Sequence, residues 1–172
     1  MAKNISPKNT AIEIPENKLL VSKSNAEGII TYCNSDFIKL FGFNEPEIIA
    51  QPYTILRHPD MPLVIFKQLW ETVLSNREFN GYLKNISKDG QYCWAFVNIT
   101  PSYGENNELI GFYSVYRKPD SDKLNYIQNL YLELKEIEDS SQISERVSDS
   151  QFKLDSVLNG REVGYDEFIL TL

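Results

Sequence analysis

The residues best suited to chemistry lie together in the run Arg57-His58-Pro59-Asp60-Met61-Pro62, which is followed eight residues later by Trp70. The run contains the only histidine of this 172-residue chain. Its two prolines stiffen the turn, and a stiff turn loses little entropy when it binds a ligand. The guanidinium of Arg57 presents a planar fork of donors that matches phosphate or ring oxygens. These features favour a ligand clamp.

A plainer reading of the same run stays open at this point. His58 could donate one ring nitrogen to a ligand while Asp60 orients the other. Alternatively, the run forms a surface salt bridge that caps the helix predicted to start near Met61. The residues alone do not decide between a clamp and a cap.

The elements around this run predict an α+β architecture. Two β-rich runs, 19–21 and 28–33, are separated by a turn that ends in glycine, and Asp89-Gly90 is a strong hairpin signal between two later strands. A third late strand covers 109–116, and the apolar spacing from Leu63 predicts a helix that ends near Asn76. The order is β-β-α-α-α-β-β-β, which implies a five-stranded antiparallel sheet with short helices on one face.

The net charge of −7 is unevenly distributed. Residues 1–119 carry 12 basic and 12 acidic side chains, whereas residues 120–172 carry 5 basic and 12 acidic ones. We therefore predict a loose N-terminal arm over 1–17, a core domain over 18–119 and an acidic helical tail over 120–172. Nucleic acid is excluded as a partner because no basic stripe exists to neutralise phosphates.

An apolar stripe from Leu124 to Ile137 predicts an amphipathic helix of about five turns at the start of the tail. The stripe either packs back onto its own domain or forms an interface with a second copy or a partner. The acidic surroundings would suit a basic partner surface.

Several classes of protein are disfavoured by what the sequence lacks. No apolar run approaches the ~18 residues that span a bilayer, so we expect a cytoplasmic protein without direct membrane insertion. Cys33 and Cys93 lack the spacing of a redox or zinc motif and are expected to be buried free thiols. One histidine and two distant thiols make a metal site unexpected.

The sequence resembles the flavin-binding PAS domain of aerotaxis (Aer-type) receptors over roughly residues 18–118. The resemblance is carried by the words Ile30-Thr31-Tyr32-Cys33-Asn34-Ser35-Asp36-Phe37, the run Arg57–Pro62, Phe66 with Leu69-Trp70, Lys84-Asn85, Lys88-Asp89-Gly90 with Tyr92 and Trp94, and Gly111-Phe112-Tyr113-Ser114-Val115. General PAS patterns carry little information, but the Arg57–Pro62 run in this register is specific.

The resemblance implies a noncovalent FAD sensor and no enzymatic activity. Aer-type receptors carry a membrane anchor and a kinase-control region after the PAS domain, and this sequence is most similar to the separate soluble PAS protein of two-protein energy-taxis systems. The implied partner is a membrane-bound, methyl-accepting-type chemotaxis transducer with a HAMP and signalling region, which would recruit the protein to the inner membrane face. A homodimer formed through the apolar stripe from Leu124 to Ile137 is the other assembly expected.

The resemblance also implies that the Arg57–Pro62 run forms one side of an FAD site. The expected cofactor-binding residues are Arg57, His58, Asp60, Trp70, Asn85, Asn98 and Asn34. Trp70 would stack on flavin or adenine, with core packing as its alternative. Asn85 and Asn98 would present donors and acceptors to the pyrimidine edge of the ring, whereas Asn34 serves equally well as a helix cap.

Two other functions compete with the sensor. A small flavoenzyme that reduces an electron acceptor would need a hydride-donor site, yet the chain has no GxGxxG motif. A PAS domain that senses haem or another small ligand would have to use His58, the sole histidine, as the axial ligand of the iron.

Overall fold

The computed structural model describes residues 5–172, and its centre is a five-stranded antiparallel sheet. The strands are β1 (Leu20–Asn25), β2 (Ile30–Cys33), β3 (Phe79–Ile86), β4 (Tyr92–Tyr103) and β5 (Leu109–Arg117). Their spatial order is β2-β1-β5-β4-β3, so β2 and β3 are the two edges. This confirms the predicted sheet.

The segment between β2 and β3 forms the helices α1 (Ser35–Phe41), α2 (Glu45–Ile48) and α3 (Leu63–Leu74), with a 3-10 turn at Tyr53–Leu56 before α3. Side chains from these helices and from alternate strand positions share one core, which includes Phe37, Phe41, Ile65, Val73 and Val97. The predicted clamp run lies in the connection between the 3-10 turn and α3. It therefore stands beside the core rather than on a remote loop.

Three further helices follow the last strand: α4 (Ser121–Ser140), α5 (Arg146–Asn159) and α6 (Tyr165–Thr171). The stripe predicted on α4 packs back onto the domain, because Ile127, Leu130 and Leu134 are all buried within the same core. Tyr131 of α4 lies 6.0 Å from the ring of Trp94, measured between ring centroids. The tail is therefore continuous with the domain in this state.

Helix α6 packs beside the edge strand β3. The rings of Tyr165 and Phe79 are stacked with centroids 5.7 Å apart, and the hydroxyls of Tyr165 and Tyr131 are 3.3 Å apart. This contact joins α4, α6 and the edge of the sheet.

The N-terminal arm differs from the loose segment that its polar composition predicts. From Ile5 onward it lies along the start of β4, where Ile12 donates to the Tyr92 carbonyl at 2.8 Å and Tyr92 donates to the Thr10 carbonyl at 2.9 Å. Ile14 is completely buried. Apolar residues at alternate positions of the arm explain this attachment, whereas residues 1–4 lie outside the described part of the chain.

Gly111 of β5 lies directly against the backbone of the neighbouring strand β1. A Cβ at this position would lie 1.9 Å from the Ser24 carbonyl oxygen. This oxygen belongs to the backbone of β1 and cannot move away without disturbing the strand. We expect Gly111→Ala to lower the free energy of unfolding by about 1–3 kcal/mol or more, measured by chemical denaturation.

Gly164→Ala is the control, since no atom of residues 5–172 lies within 4 Å of a Cβ there. Gly164 is the N-cap of α6, where alanine is less favourable than glycine, so the substitution should lower the free energy of unfolding by about 0.5–1 kcal/mol, less than Gly111→Ala. Equal effects of the two substitutions would contradict the close approach of β1 and β5.

Candidate ligand cavity

A cavity of about 120 Å³ lies between α3 and the sheet. Its walls come from the 3-10 turn, from one face of α3 and from the three strands β3, β4 and β5. The residues that line it are Tyr53, Thr54, Leu56, Arg57, Phe66, Leu69, Trp70, Val73, Leu83, Lys84, Asn85, Ile99, Phe112, Ser114 and Tyr116. Most of these side chains are apolar, and a few polar groups converge among them, as in typical small-molecule sites.

Arg57 reaches this cavity with its guanidinium held over an aromatic ring. Its Cζ atom lies 4.2 Å from the centroid of Phe66, and its backbone pairs with Asn85 of β3. Burial lowers the pKa of Arg57, while the carboxylate of Glu138 acts in the opposite direction. Because arginine stays protonated even in such surroundings, the cavity has a cation in its wall.

Asn85 supplies a buried amide to the same wall. Its side chain is 5% exposed, and its NH₂ group makes one contact, to the Leu83 carbonyl at 3.3 Å. Within residues 5–172 no group donates a hydrogen bond to the amide oxygen. This oxygen is therefore free to accept a hydrogen bond from a donor on a ligand.

A second polar group is built around the Tyr53 hydroxyl. It lies 2.8 Å from the Ser22 hydroxyl and donates to the Ser114 hydroxyl at 3.3 Å. Burial raises the pKa of Tyr53, which keeps the phenol protonated. Ser24, two residues after Ser22 on the inward side of β1, is buried, and its hydroxyl makes no hydrogen bond to any group in the described residues 5–172.

Trp70 forms part of the cavity wall and also packs against the hydrophobic core. Its ring meets Phe112 edge-on with centroids 5.6 Å apart. A Cβ at Gly28 would lie 3.1 Å from the Trp70 ring, so the glycine leaves room for the indole.

His58 lies behind the cavity wall instead of lining it. The side chain is 4% exposed, and its Nδ1 accepts the Asp60 N–H at 3.2 Å. Burial lowers the pKa of His58, and the nearby Lys84 ammonium lowers it further, against the smaller opposite effect of Asp60. The neutral ring therefore carries its proton on Nε2. Its backbone N–H donates to the Lys84 carbonyl at 3.3 Å, which attaches the turn to β3.

Asp60 points outward and pairs with Lys84, whose Nζ lies 2.5 Å from its carboxylate. Burial opposes ionisation of Asp60, but the hydrogen bond and charge of Lys84 prevail and the pKa is lowered. Its carboxylate is also 3.4 Å from Nδ1 of His58. Asp60 thus orients its neighbours and does not line the cavity.

The structure does not bring two of the expected asparagines to the cavity. Asn98 lies on β4 next to Ile99, and adjacent residues of a strand point to opposite faces. Since Ile99 lines the cavity, Asn98 faces away from it and donates to Asn80 at 3.0 Å and Glu78 at 3.1 Å.

Asn34 has the helix-cap role that the sequence left open. Its side-chain oxygen accepts from the Phe37 N–H at 3.0 Å and from the Val21 N–H at 3.1 Å, while its NH₂ donates to Leu19. These bonds occupy the amide in the junction of β1 and α1.

Sequence reasoning missed Tyr53, Ser22 and Ser114 as site residues. The signal was present, because Ser22 and Ser114 are polar residues at buried, inward-facing positions of their strands. It also missed Glu138, an acidic residue four positions after Leu134 on the buried face of α4.

The two cysteines are free and buried, as predicted. Burial raises the pKa of both thiols to about 12. They are therefore poor nucleophiles at neutral pH.

The fold and the site geometry define a class of protein. The family profile described as PAS fold matches residues 30–116, half of the chain. The protein belongs to the PAS fold family, which confirms this level of the resemblance seen in the sequence.

Among curated proteins, the chain is similar to the aerotaxis receptor of Escherichia coli K12, with 27% identity over 127 residues. The match covers 74% of this chain and 24% of the receptor. It is also 25% identical over 104 residues to the nitrogen fixation regulatory protein of Klebsiella pneumoniae, covering 60% of this chain and 21% of that protein. The chain thus spans a quarter or less of the length of these relatives.

Among solved structures, the dark state of the blue-light photoreceptor Aureochrome1 LOV aligns with a TM-score of 0.58 at 16% identity, over 64% of this chain and 82% of that one. A light-oxygen-voltage domain studied with a flavin analogue aligns with a TM-score of 0.56 at 18% identity, over 64% and 84% of the two chains. These likenesses establish the shared fold. Within the described residues, no helix is long and apolar enough to cross a membrane.

The neutral state of His58 makes the stability of the protein depend on pH. Because folding lowers the pKa of His58 from its usual 6.5, the unfolded chain binds this proton more readily than the folded one. The free energy of unfolding should therefore fall as the pH drops below about 6.5, which denaturation at about pH 7.5 and about pH 5.5 would measure.

His58→Asn is the control, since the asparagine oxygen can accept the Asp60 N–H without titrating. Its loss of stability over the same interval should be smaller. An equally steep loss in this variant would assign the effect to other groups.

Proposed function

We propose that this PAS domain binds FAD noncovalently and senses redox or energy state, without catalysing a reaction of its own. The observation that carries the proposal is the juxtaposition of the Arg57 guanidinium and the unpartnered Asn85 amide oxygen in the wall of one cavity. The similarity to an aerotaxis receptor and the flavin named for one light-oxygen-voltage structure support it.

The chemistry of the cavity fits a flat, mostly apolar ring with a polar edge. Phe66, Leu69 and Phe112 offer apolar surface, and Trp70 offers an aromatic face or edge. Asn85 has an acceptor for a ring N–H, and Tyr53 and Ser114 have hydroxyls that can donate or accept. Arg57 can pair with phosphate or ring oxygens.

The size of the cavity adds a requirement. Small-molecule pockets typically measure roughly 300–1,000 Å³, whereas this cavity encloses about 120 Å³. Entry of the ring therefore requires side chains around the cavity to move outward. Arg57 and Phe66, which stack on each other between the 3-10 turn and α3, are the pair whose displacement would widen it.

When bound, the flavin would supply a redox couple whose oxidised and reduced forms differ in charge and protonation at the ring edge. The chain's own residues would hold that edge: Asn85 and the Tyr53–Ser114 pair would gain or lose hydrogen bonds as it changes. His58 and Asp60 would act indirectly, by fixing the turn that carries Arg57.

The proposed output is a protein–protein contact with a membrane-bound chemotaxis transducer. The acidic helices α4 to α6 would form this contact from the cytoplasmic side, and a homodimer is the other assembly proposed. The membrane would be reached through that partner.

Flavin binding tests the proposal directly. Protein incubated with FAD and then desalted should retain visible flavin absorption that dithionite bleaches. Arg57→Ala and Asn85→Ala should each weaken FAD binding by about 10- to 100-fold, because each removes a buried polar contact to the ligand. Titration of FAD fluorescence would measure the dissociation constants.

Asn98→Ala provides the matched control, since it removes an asparagine from the opposite face of the sheet. It should bind FAD like the unsubstituted protein. A protein that stays colourless after FAD is supplied, or Arg57 and Asn85 variants that both stay fully yellow, would overturn the proposed site.

A further inference from the structure

A buried carboxylate from the tail occupies the start of α3. Glu138 of α4 is 1% exposed, and its two oxygens accept the backbone N–H groups of Leu63 at 2.8 Å and Val64 at 3.0 Å. These are the first two residues of α3, which lie 75 and 74 positions away in the sequence.

Helix α3 has no cap of its own that could replace this carboxylate. Its N-cap residue is Pro62, which has no side-chain acceptor, and its first turn contains no acidic residue. The first N–H groups of a helix need outside acceptors, and the helix dipole favours a negative charge there. Glu138 meets both needs from a remote element.

The same carboxylate also connects to α5. The hydroxyl of Ser150, which is completely buried, donates to Glu138 at 3.0 Å. One carboxyl group thus joins α3, α4 and α5. A buried carboxyl group that loses its donors is strongly destabilising, so displacement of any one of these three helices would weaken the attachment of the others.

The other end of the coupling is the cavity. Phe66, under the Arg57 guanidinium, follows Leu63 and Val64 within the first turn of α3, and Leu69 and Trp70 line the cavity one turn later. Glu138 is also close enough to Arg57 for its charge to act on the guanidinium. A ligand that moves α3 or pairs with Arg57 therefore acts on the groups that Glu138 holds.

We propose that Glu138 is a positioning residue that latches the α4–α5 hairpin onto α3, and that an anionic ligand paired with Arg57 opens this latch. Two features of the site make the ligand and the docked tail oppose each other. The cavity must widen against α3 to admit a ligand, and a phosphate near Arg57 places a second negative charge close to Glu138. The part of this inference that concerns the ligand rests on the proposed FAD site.

Ligand binding and docking of the tail are thermodynamically linked. If the ligand and the docked tail oppose each other, removal of the latch must strengthen ligand binding by the factor with which the ligand weakens docking. Glu138→Gln should therefore tighten FAD binding, by about 5-fold or more. A variant that merely damaged the fold would weaken it.

The experiment is hydrogen–deuterium exchange of the full chain, without ligand and with saturating FAD, together with FAD titration. Without ligand, Glu138→Gln should speed exchange in α4, α5 and the first turn of α3, while β4 and β5 keep their protection. FAD should produce the same pattern in the unsubstituted protein.

Glu136→Gln is the matched control, because it makes the same charge change at an exposed position of the same helix. It should leave exchange and FAD affinity unchanged. If Glu138→Gln fails to fold, Ser150→Ala decides, since it removes one of the three donors to the carboxylate and should show the same changes to a smaller degree.

The outcomes separate the latch from the proposed cofactor. Unchanged tail exchange in the ligand-free Glu138 variant would overturn the latch whatever FAD does. Bound FAD with no change in tail exchange, or weaker FAD binding by Glu138→Gln, would overturn the coupling. Absence of FAD binding in every variant, with faster tail exchange in Glu138→Gln, would remove the proposed cofactor and leave the structural latch supported.

Discussion

The start of α3 is the point on which the rest of the structure depends. This helix buries Val64, Ile65, Leu69 and Val73 against the sheet, yet within residues 5–172 the N–H groups of its first two residues are satisfied by a carboxylate that lies about 75 residues later in the chain. The cavity, the turn that holds Arg57 and the docked tail therefore share one local arrangement. Glu138 and Ser150, which complete this arrangement, both lie beyond residues 30–116, the part that the family profile matches.

Local chemistry explains why most of the fold could be predicted. Asp89-Gly90 forms the turn between β3 and β4, and Gly28 adopts the positive φ that its turn signal implied. The helix signals around Asn34 and Leu63 likewise depend on neighbours within a few residues. Elements with such short-range determinants are readable from the sequence alone.

The site was less predictable because it depends on direction and distance. Asn85 and Asn98 look alike in sequence, but strand alternation places one in the cavity wall and the other on the opposite face. His58 and Asp60 belong to the right turn, yet their side chains point away from the cavity. Glu138 could be placed on the buried face of α4 from its spacing, but nothing local indicates that its partner is the start of α3.

The pairing of the Arg57–Pro62 run with β3 has a consequence for the sheet as a whole. Edge strands expose unpaired backbone groups and invite association with other chains. Here Arg57 and His58 pair with the backbone of β3 at Asn85 and Lys84. The backbone N–H of Lys84 also donates to the sulfur of Met61 at 3.2 Å, so this part of the edge is covered. The prolines of this run have no N–H to offer a further strand. The segment beside the cavity thus also covers the edge of the sheet. A large outward movement of this turn would expose the backbone groups of β3 at that edge. The cost of this exposure limits how far a ligand can displace the turn.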